Sequence, residues 1–132
     1  MLTPWQERSH RRFSRQFLDL LEIASQRHHG VNRWLSFERL SVYVRISQRV
    51  LEPATSRKIV RVIDIANVST DESYQHKGMF TRLVNKIHAL TDMPIFLENT
   101  HPEFAMHLLD HHGWKFIRSN MGVSYDLVHY HQ

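Results

Sequence analysis

The segment Gln75-His76-Lys77-Gly78-Met79-Phe80 could bind a phosphate group, because it joins a β-branched run to an amphipathic helical pattern. A glycine at such a junction lets the backbone approach an anion closely. The first N–H groups of the following helix point at that anion, and the helix dipole favours its negative charge. Most single glycines between a strand and a helix are turn residues, so this segment alone leaves both interpretations open.

Two histidines could hold one metal ion, since His107 and His111 stand four residues apart on a predicted helix. The chain lacks the glutamate that follows the first histidine in hydrolytic zinc helices, and the spacing supplies no third ligand. We therefore expect no metal, with these imidazoles facing solvent or the edge of the core.

Composition excludes several kinds of chemistry. The 132 residues contain no cysteine, so disulfides, thiolate zinc sites and a cysteine nucleophile are excluded. Hydrophobic residues at 42% and charged residues at 23% are ordinary values for one globular domain, here 1–132. No apolar run approaches membrane-spanning length, so we expect a cytoplasmic protein without a membrane partner. The net charge of +4 favours an anionic partner, either a nucleotide-like cofactor, a nucleic acid or an acidic protein.

Periodicity predicts three helices. The first is basic and amphipathic; it begins at Pro4, with Thr3 and Gln6 as a capping box, and Gly30 ends it. The second covers Met79–Leu90. A capping box of Thr100 and Glu103 predicts the third, which Gly113 ends. Strands are predicted at Trp34–Val50 (one or two strands), Lys58–Thr70, Pro94–Asn99, Trp114–Ile117 and Val123–Tyr130.

This order of elements, with the motifs inside it, resembles the GNAT superfamily of acyl-CoA-dependent N-acetyltransferases. The loop from Gln75 to Phe80 matches the family's pattern Arg/Gln-x-x-Gly-x-Gly/Ala at its first two defined positions. The resemblance extends to Tyr74, to Thr81-Arg82-Leu83-Val84 and to the segment from Ala105 to Trp114. The resemblance covers roughly the last three-fifths of the chain. It implies an α+β fold with three layers (α/β three-layer), in which helices flank a mixed, mostly antiparallel central sheet. In this chain the fold also has a long N-terminal helix.

The resemblance also implies a site for acetyl-CoA. Backbone amides around Lys77 to Phe80 are expected to hold the pyrophosphate, and Lys77, Arg82 or Lys86 to attract the remaining phosphate. The pantetheine arm is expected along the preceding strand. The implied cofactor-binding residues are Val68, Ser69, Thr70, Gln75, His76, Lys77, Gly78, Met79, Phe80, Thr81 and Asn99. Phe80 stands where the family has a small residue, and we expect its side chain to turn into the core.

Transfer to an amine requires a base, because an alkylamine is protonated near neutral pH. Asp64 lies fourteen positions before Gly78, a spacing at which some histone-type members of the family carry a glutamate base, and Glu98 is the second candidate. Asp64 could instead face solvent or pair with Arg61 or an arginine of a neighbouring strand. Leu109 stands where members often have a tyrosine that acts as the general acid and protonates the leaving thiolate. In this chain the general acid could be Tyr125, His111, His112 or water. Pro102 replaces a common pantetheine-binding asparagine, and Asn99 is the possible substitute.

The resemblance thus implies an N-acetyltransferase that moves an acetyl group from acetyl-CoA to a primary amine of a small molecule or protein by direct attack. The alternative is a weak or inactive protein of the same fold that binds a partner protein through its basic surface. A nucleic acid is not favoured, because no helix-turn-helix, finger or aromatic RNA-binding signature is present. The sequence leaves open whether the chain binds a partner protein and whether it forms a homodimer.

Overall fold

The computed structural model describes residues 1–27, 30–51, 58–70 and 78–131. Three helices are present in this part of the chain, α1 (Pro4–Ser25), α2 (Met79–Leu90) and α3 (Pro102–His111). The six strands are β1 (Val31–Phe37), β2 (Leu40–Val50), β3 (Ile59–Thr70), β4 (Ile95–Thr100), β5 (Lys115–Asn120) and β6 (Ser124–His129). None of the helices in the described ranges is long and apolar enough to cross a bilayer.

The start of α1 and both ends of α2 agree with the local signals in the sequence. The Gln6 N–H donates to Thr3 Oγ1 at 3.1 Å, and the Thr3 N–H donates to Gln6 Oε1 at 2.9 Å, which confirms the capping box. The end of α1 was predicted at Gly30, and this is wrong, because the helix ends at Ser25. Ala24 is its last buried residue, so nothing apolar anchors a further turn.

The predicted cap of α3 is also wrong. Its N-cap is His101, whose Nδ1 accepts from the Glu103 N–H at 3.3 Å. Thr100 belongs to β4 and is buried opposite Tyr125. Because the strand continues one residue further than the sequence indicated, the Thr100 hydroxyl faces the interior and cannot cap the helix.

The strands form one open, mixed sheet in the order β1-β2-β3-β4-β6-β5. Neighbours are antiparallel except β3 and β4, which run parallel and are joined by α2. The segment 34–50 contains two strands, one of the two outcomes that the sequence allowed. β5 and β6 also pair, and the chain turns between them through Met121 and Gly122, both with positive φ. The α+β class and the mostly antiparallel sheet are confirmed.

All three helices cover one side of the sheet, which we call the helix face. Phe13 of α1, Leu83 of α2 and Leu108 of α3 belong to one buried cluster with Ile63 and Ile95. The crossovers through α2 and α3 step across the sheet in the same direction, and crossovers of the same hand place their helices on the same side. The described residues therefore form two layers, where the sequence predicted three.

The other side of the sheet, which we call the second face, carries a smaller apolar cluster of Leu51, Val62, Phe96 and Val128. Successive side chains of a strand point to opposite faces. Asp64 lies between Ile63 and Ile65, which both join the helix-face cluster, so Asp64 belongs to the second face. This placement determines which charged residues Asp64 can meet.

Candidate functional site

The parallel strands β3 and β4 pair over a short distance and then part. Their register covers Ile63–Ile95, Asp64–Phe96 and Ile65–Leu97. Just beyond these pairs, each strand has an irregularity. The β2–β3 register shifts so that Tyr43 pairs with Asn67 and Val44 with Ile65, and the β4–β6 register shifts between Leu97 and Thr100. Such shifts bend strands. Beyond Ile65 and Leu97 the described parts of β3 and β4 have no further pairs with each other, and we call this unpaired end of the two strands the opening.

The start of α2 lies at this same end of the sheet, since α2 follows β3 in the chain. Gly78 is the N-cap with φ 74°, and no side chain of the described residues caps the helix there. An added Cβ on Gly78 would stand 3.2 Å from Nη1 of Arg82. The backbone at Gly78 therefore has a conformation and a close contact that suit glycine best.

The other predicted loop residues divide into three groups. Gln75, His76 and Lys77 lie outside the described residues. Met79 is buried and Thr81 is exposed. Phe80 turns into the protein and packs against Phe104 and Trp114, with ring centroids 5.3 and 6.0 Å away, as the sequence predicted.

Arg82, one predicted phosphate-binding residue, is held by the buried Glu38. Its Nε donates to Glu38 Oε2 at 2.7 Å and its Nη2 to Oε1 at 2.6 Å. His10 Nε2 lies 2.7 Å from Glu38 Oε2. Burial by itself raises the pKa of Glu38, but the hydrogen bonds from Arg82 and His10 outweigh it and hold the pKa below its ordinary value. This cluster connects α1, the β1–β2 turn and α2 beside Gly78.

Asp64 and Glu98, the two predicted bases, lie together on the second face with two arginines of β2. Arg49 Nη2 lies 2.5 Å from Asp64 Oδ2 and 3.5 Å from Glu98 Oε2. Arg45 Nη2 lies 3.1 Å from Asp64 Oδ2 and also pairs with Glu98. We call these four residues the charge network. Asp64 thus pairs with arginines of the neighbouring strand, one of the alternatives that the sequence left open, whereas Arg61 donates to the Ala24 carbonyl.

Exposure and hydrogen bonding differ between the two carboxylates. The Asp64 side chain is 0% exposed and that of Glu98 is 27% exposed. Asp64 Oδ1 and Arg45 Nε are buried without a hydrogen-bond partner among the described residues. An unsatisfied buried polar atom costs about 1–3 kcal/mol. The charge network therefore has one acceptor and one donor available to a small polar group.

Tyr125 lies apart from the charge network. It packs against the helix-face cluster, and its ring contacts Phe116 at 5.8 Å. Leu109 is half-buried against the same cluster. The structure therefore brings Asp64 and Glu98 together and places Tyr125 on the opposite face of the sheet.

The residues expected along the pantetheine arm border the opening. The backbone of Val68, Ser69 and Thr70 pairs with β2 on one side, and the described β3–β4 ladder ends before these residues. Asn99 has φ 54°, and its N–H donates to Asp126 Oδ1 at 3.0 Å. Its side-chain oxygen accepts from Asn120 at 3.0 Å, so Asn99 is engaged within the protein.

Histidines from α2, α3 and β6 approach one another on the helix side of the sheet. His88 Nε2 lies 2.8 Å from His129 Nδ1, and His129 Nε2 donates to the His112 carbonyl at 3.1 Å. Burial, with the neighbouring His129 and His131, lowers the pKa of His88 to about 4. His107 and His112 are also in contact, at 3.2 Å between their Nε2 atoms. Within the described ranges, no group of three or more His, Asp or Glu residues is arranged to hold a metal.

Reasoning from the sequence missed Glu38, Arg45 and Arg49 as site residues. The alternation of β2 already placed Arg45 on its polar side, but nothing local indicated that Asp64 and Glu98 would lie across from it. Comparisons of the chain with protein-family models, with curated proteins and with solved structures find no match. A functional interpretation consequently depends on the geometry of these residues and on the motif resemblance.

Proposed function

We propose that this chain is an N-acetyltransferase of the GNAT type, which transfers the acetyl group of acetyl-CoA to a primary amine. The observation that supports this best is the opening between β3 and β4 beyond Ile65 and Leu97, with the start of α2 at the same end. Ligands of open sheets bind beyond the carboxyl ends of parallel strands. A helix N-terminus favours a negatively charged group, here the pyrophosphate.

The proposed reaction joins the amine nitrogen to the acetyl carbon and breaks the carbon–sulfur bond. The amine must first lose its ammonium proton to a base. Glu98 suits this role better than Asp64, because its side chain is 27% exposed and that of Asp64 is fully buried. Asp64 then serves to hold Arg45 and Arg49 in place.

An isosteric pair of variants tests the cofactor site. Asn and Asp both tolerate positive φ, and both place a Cβ at the same 3.2 Å contact with Arg82. Asp adds a negative charge where the pyrophosphate is proposed to bind. Acetyl-CoA at a hundredfold excess over its Kd should stabilise the wild type by about 2.7 kcal/mol. Gly78→Asn should retain most of this thermal shift, and Gly78→Asp should abolish it.

Thermal unfolding without ligand supplies the control. Asn and Asp have the same shape and a similar tolerance of positive φ, so Gly78→Asp should unfold at a temperature close to that of Gly78→Asn. Loss of the acetyl-CoA shift then reports on binding and not on folding. No shift for the wild type at saturating acetyl-CoA would disprove the cofactor proposal.

A second candidate function is a protein that keeps the cofactor site but has little or no turnover, and acts by binding a partner protein. The charge network favours this candidate. Both candidate bases, Asp64 and Glu98, are already engaged in ion pairs with Arg45 and Arg49. Tyr125, the remaining tyrosine candidate for the acid, is on the opposite face of the sheet.

Mass spectrometry of acetylated amines in a mixed lysate, with added acetyl-CoA, separates the two candidates. Turnover by the wild type that Glu98→Gln strongly reduces, with the acetyl-CoA thermal shift retained, supports the enzyme. A thermal shift without any acetylated product supports the cofactor-binding protein.

A further inference from the structure

The exposed side of α1 carries a row of arginines beside a groove. Arg11 and Arg12 are adjacent, and each stands three or four residues from both Arg8 and Arg15, so the four arginines share one side of the helix. All four are exposed. Together with Lys86 of α2 they line a groove of about 850 Å³, which we call the arginine groove.

The positive charge of the chain is concentrated at the arginine groove. Its lining contains five basic side chains and one carboxylate, that of Glu7. This excess of four equals the formal net charge of the whole chain, +4. The rest of the protein is therefore close to neutral, and an anion approaching the molecule is drawn to this groove.

The four arginines lack the ionic partner that several other arginines of the described residues have. Over the described ranges, none of them pairs with a carboxylate, whereas paired arginines occur elsewhere in the molecule: Arg33, Arg45, Arg49, Arg82 and Arg118. Like charges three and four residues apart on a helix repel each other. A row of unneutralised arginines is thus stabilised by an external polyanion.

We propose that the arginine groove binds an acidic segment of a partner polypeptide. Arg8 and Arg15 are two helical turns apart, roughly 10 Å, so a small anion cannot reach all the cations and an elongated one can. The groove is concave, which fits an inserted chain better than the flat surface of a membrane. Guanidinium groups bind carboxylates in a planar, two-point manner.

The apolar part of the groove favours a polypeptide over a nucleic acid. Leu2 and Trp5 lie at the N-terminal end of the row. Arg39 stands over the Trp5 ring at 4.7 Å, so one face of this ring is covered. Single-stranded nucleic acids need several aromatic platforms for base stacking, and Trp5 is the sole Phe, Tyr or Trp among the lining residues that the structure describes. An apolar side chain beside a run of glutamates or aspartates matches this arrangement.

The proposal does not require acetyl-CoA, so its test omits the cofactor and is independent of the proposed transferase activity. The probe is a short fluorescein-labelled peptide rich in glutamate that carries one leucine at its end. Binding is measured by fluorescence anisotropy at low and at physiological ionic strength. Affinity should fall as salt is added, because the contacts are ionic and exposed.

Two variants with the same change of charge provide the comparison. Arg11→Gln/Arg15→Gln removes two cations from the groove, and Arg27→Gln/Lys115→Gln removes two exposed cations elsewhere. Glutamine has a helix propensity similar to that of arginine, so α1 should stay folded, which circular dichroism checks. The groove variant should bind the peptide roughly five- to tenfold more weakly than the wild type, and the control variant less than twofold more weakly.

Three outcomes would overturn the proposal. The first is no peptide binding by the wild type at low salt. The second is equal weakening by both variants, which indicates attraction by net charge alone. The third is tighter binding of a single-stranded oligonucleotide of equal charge, which assigns the groove to nucleic acid.

Discussion

Replacing Asp64 by Asn tests how much the charge network contributes to stability. The substitution keeps the shape of the side chain and removes its charge. Asp64 is 0% exposed, and its Oδ2 lies 3.1 Å from Arg45 and 2.5 Å from Arg49. Removing one partner of a buried ion pair costs about 3–5 kcal/mol. We expect the lower limit, about 3 kcal/mol, because both arginines are partly exposed and keep Glu98 as a partner.

A matched surface pair supplies the control. Asp19 lies 3.1 Å from Arg33, the same distance as between Asp64 and Arg45, but its side chain is 59% exposed. An exposed ion pair contributes only about 0–1 kcal/mol. Asp19→Asn should therefore leave stability nearly unchanged, and burial is the variable that distinguishes the two substitutions.

Thermal and urea unfolding of the two variants provide the measurement. For a chain of this length, about 3 kcal/mol corresponds to a Tm lower by roughly 10 °C, whereas Asp19→Asn should shift Tm by about 3 °C or less. The double variant Asp64→Asn/Arg49→Gln should lose less stability than the sum of its single variants, since the two side chains interact. Equal losses for Asp64→Asn and Asp19→Asn would refute the claim that the buried network stabilises the fold.

Three further substitutions have outcomes that follow from single contacts. Because the pKa of Glu38 is held below its ordinary value, its contribution to stability is present above about pH 4.5 and is lost as the pH falls through the lowered value. Glu38→Gln should accordingly be least stable relative to the wild type near neutral pH, and the two should converge in acid unfolding experiments. His88 has its pKa lowered to about 4, so below about pH 6.5 the unfolded chain binds a proton that the folded chain does not. Stability should decline by up to about 1.4 kcal/mol per pH unit over this range, and His88→Gln should flatten that decline in Tm measured at several pH values. The buried Thr100 hydroxyl has no partner among the described residues, so Thr100→Val should leave urea stability unchanged or raise it by about 1 kcal/mol; a clear loss would show that the hydroxyl is bonded.

The parts of the fold that depend on neighbouring residues in the chain were predictable. The bounds of α2 match the predicted Met79–Leu90 because apolar residues recur there at helical spacing. The capping box of Thr3 and Gln6 is likewise a contact across three residues. The end of α1 and the cap of α3 were predicted wrongly, because burial of Ala24 and Thr100 by distant elements decided both.

The candidate site likewise has features that depend on neighbouring residues in the chain and features that depend on distant elements. The sequence predicted Gly78 from its place before a helix, and it predicted Asp64 and Glu98 through the motif resemblance. It could not show that Asp64 pairs with Arg45 and Arg49. That contact joins residues from separate strands, and their common face depends on register.

By itself the sequence determined where the helices and strands lie, but not all of their ends, together with the basic row on α1 and the glycine at the start of α2, because each depends on spacing within a few residues. Only the tertiary structure decided the neighbours of each strand and the face on which each side chain lies. A strand alternates its side chains between two faces, and a one-residue shift such as that near Val44 reverses them. For this reason Asp64 and Glu98 share Arg45 and Arg49 on one face of the sheet, while Tyr125 lies on the other face.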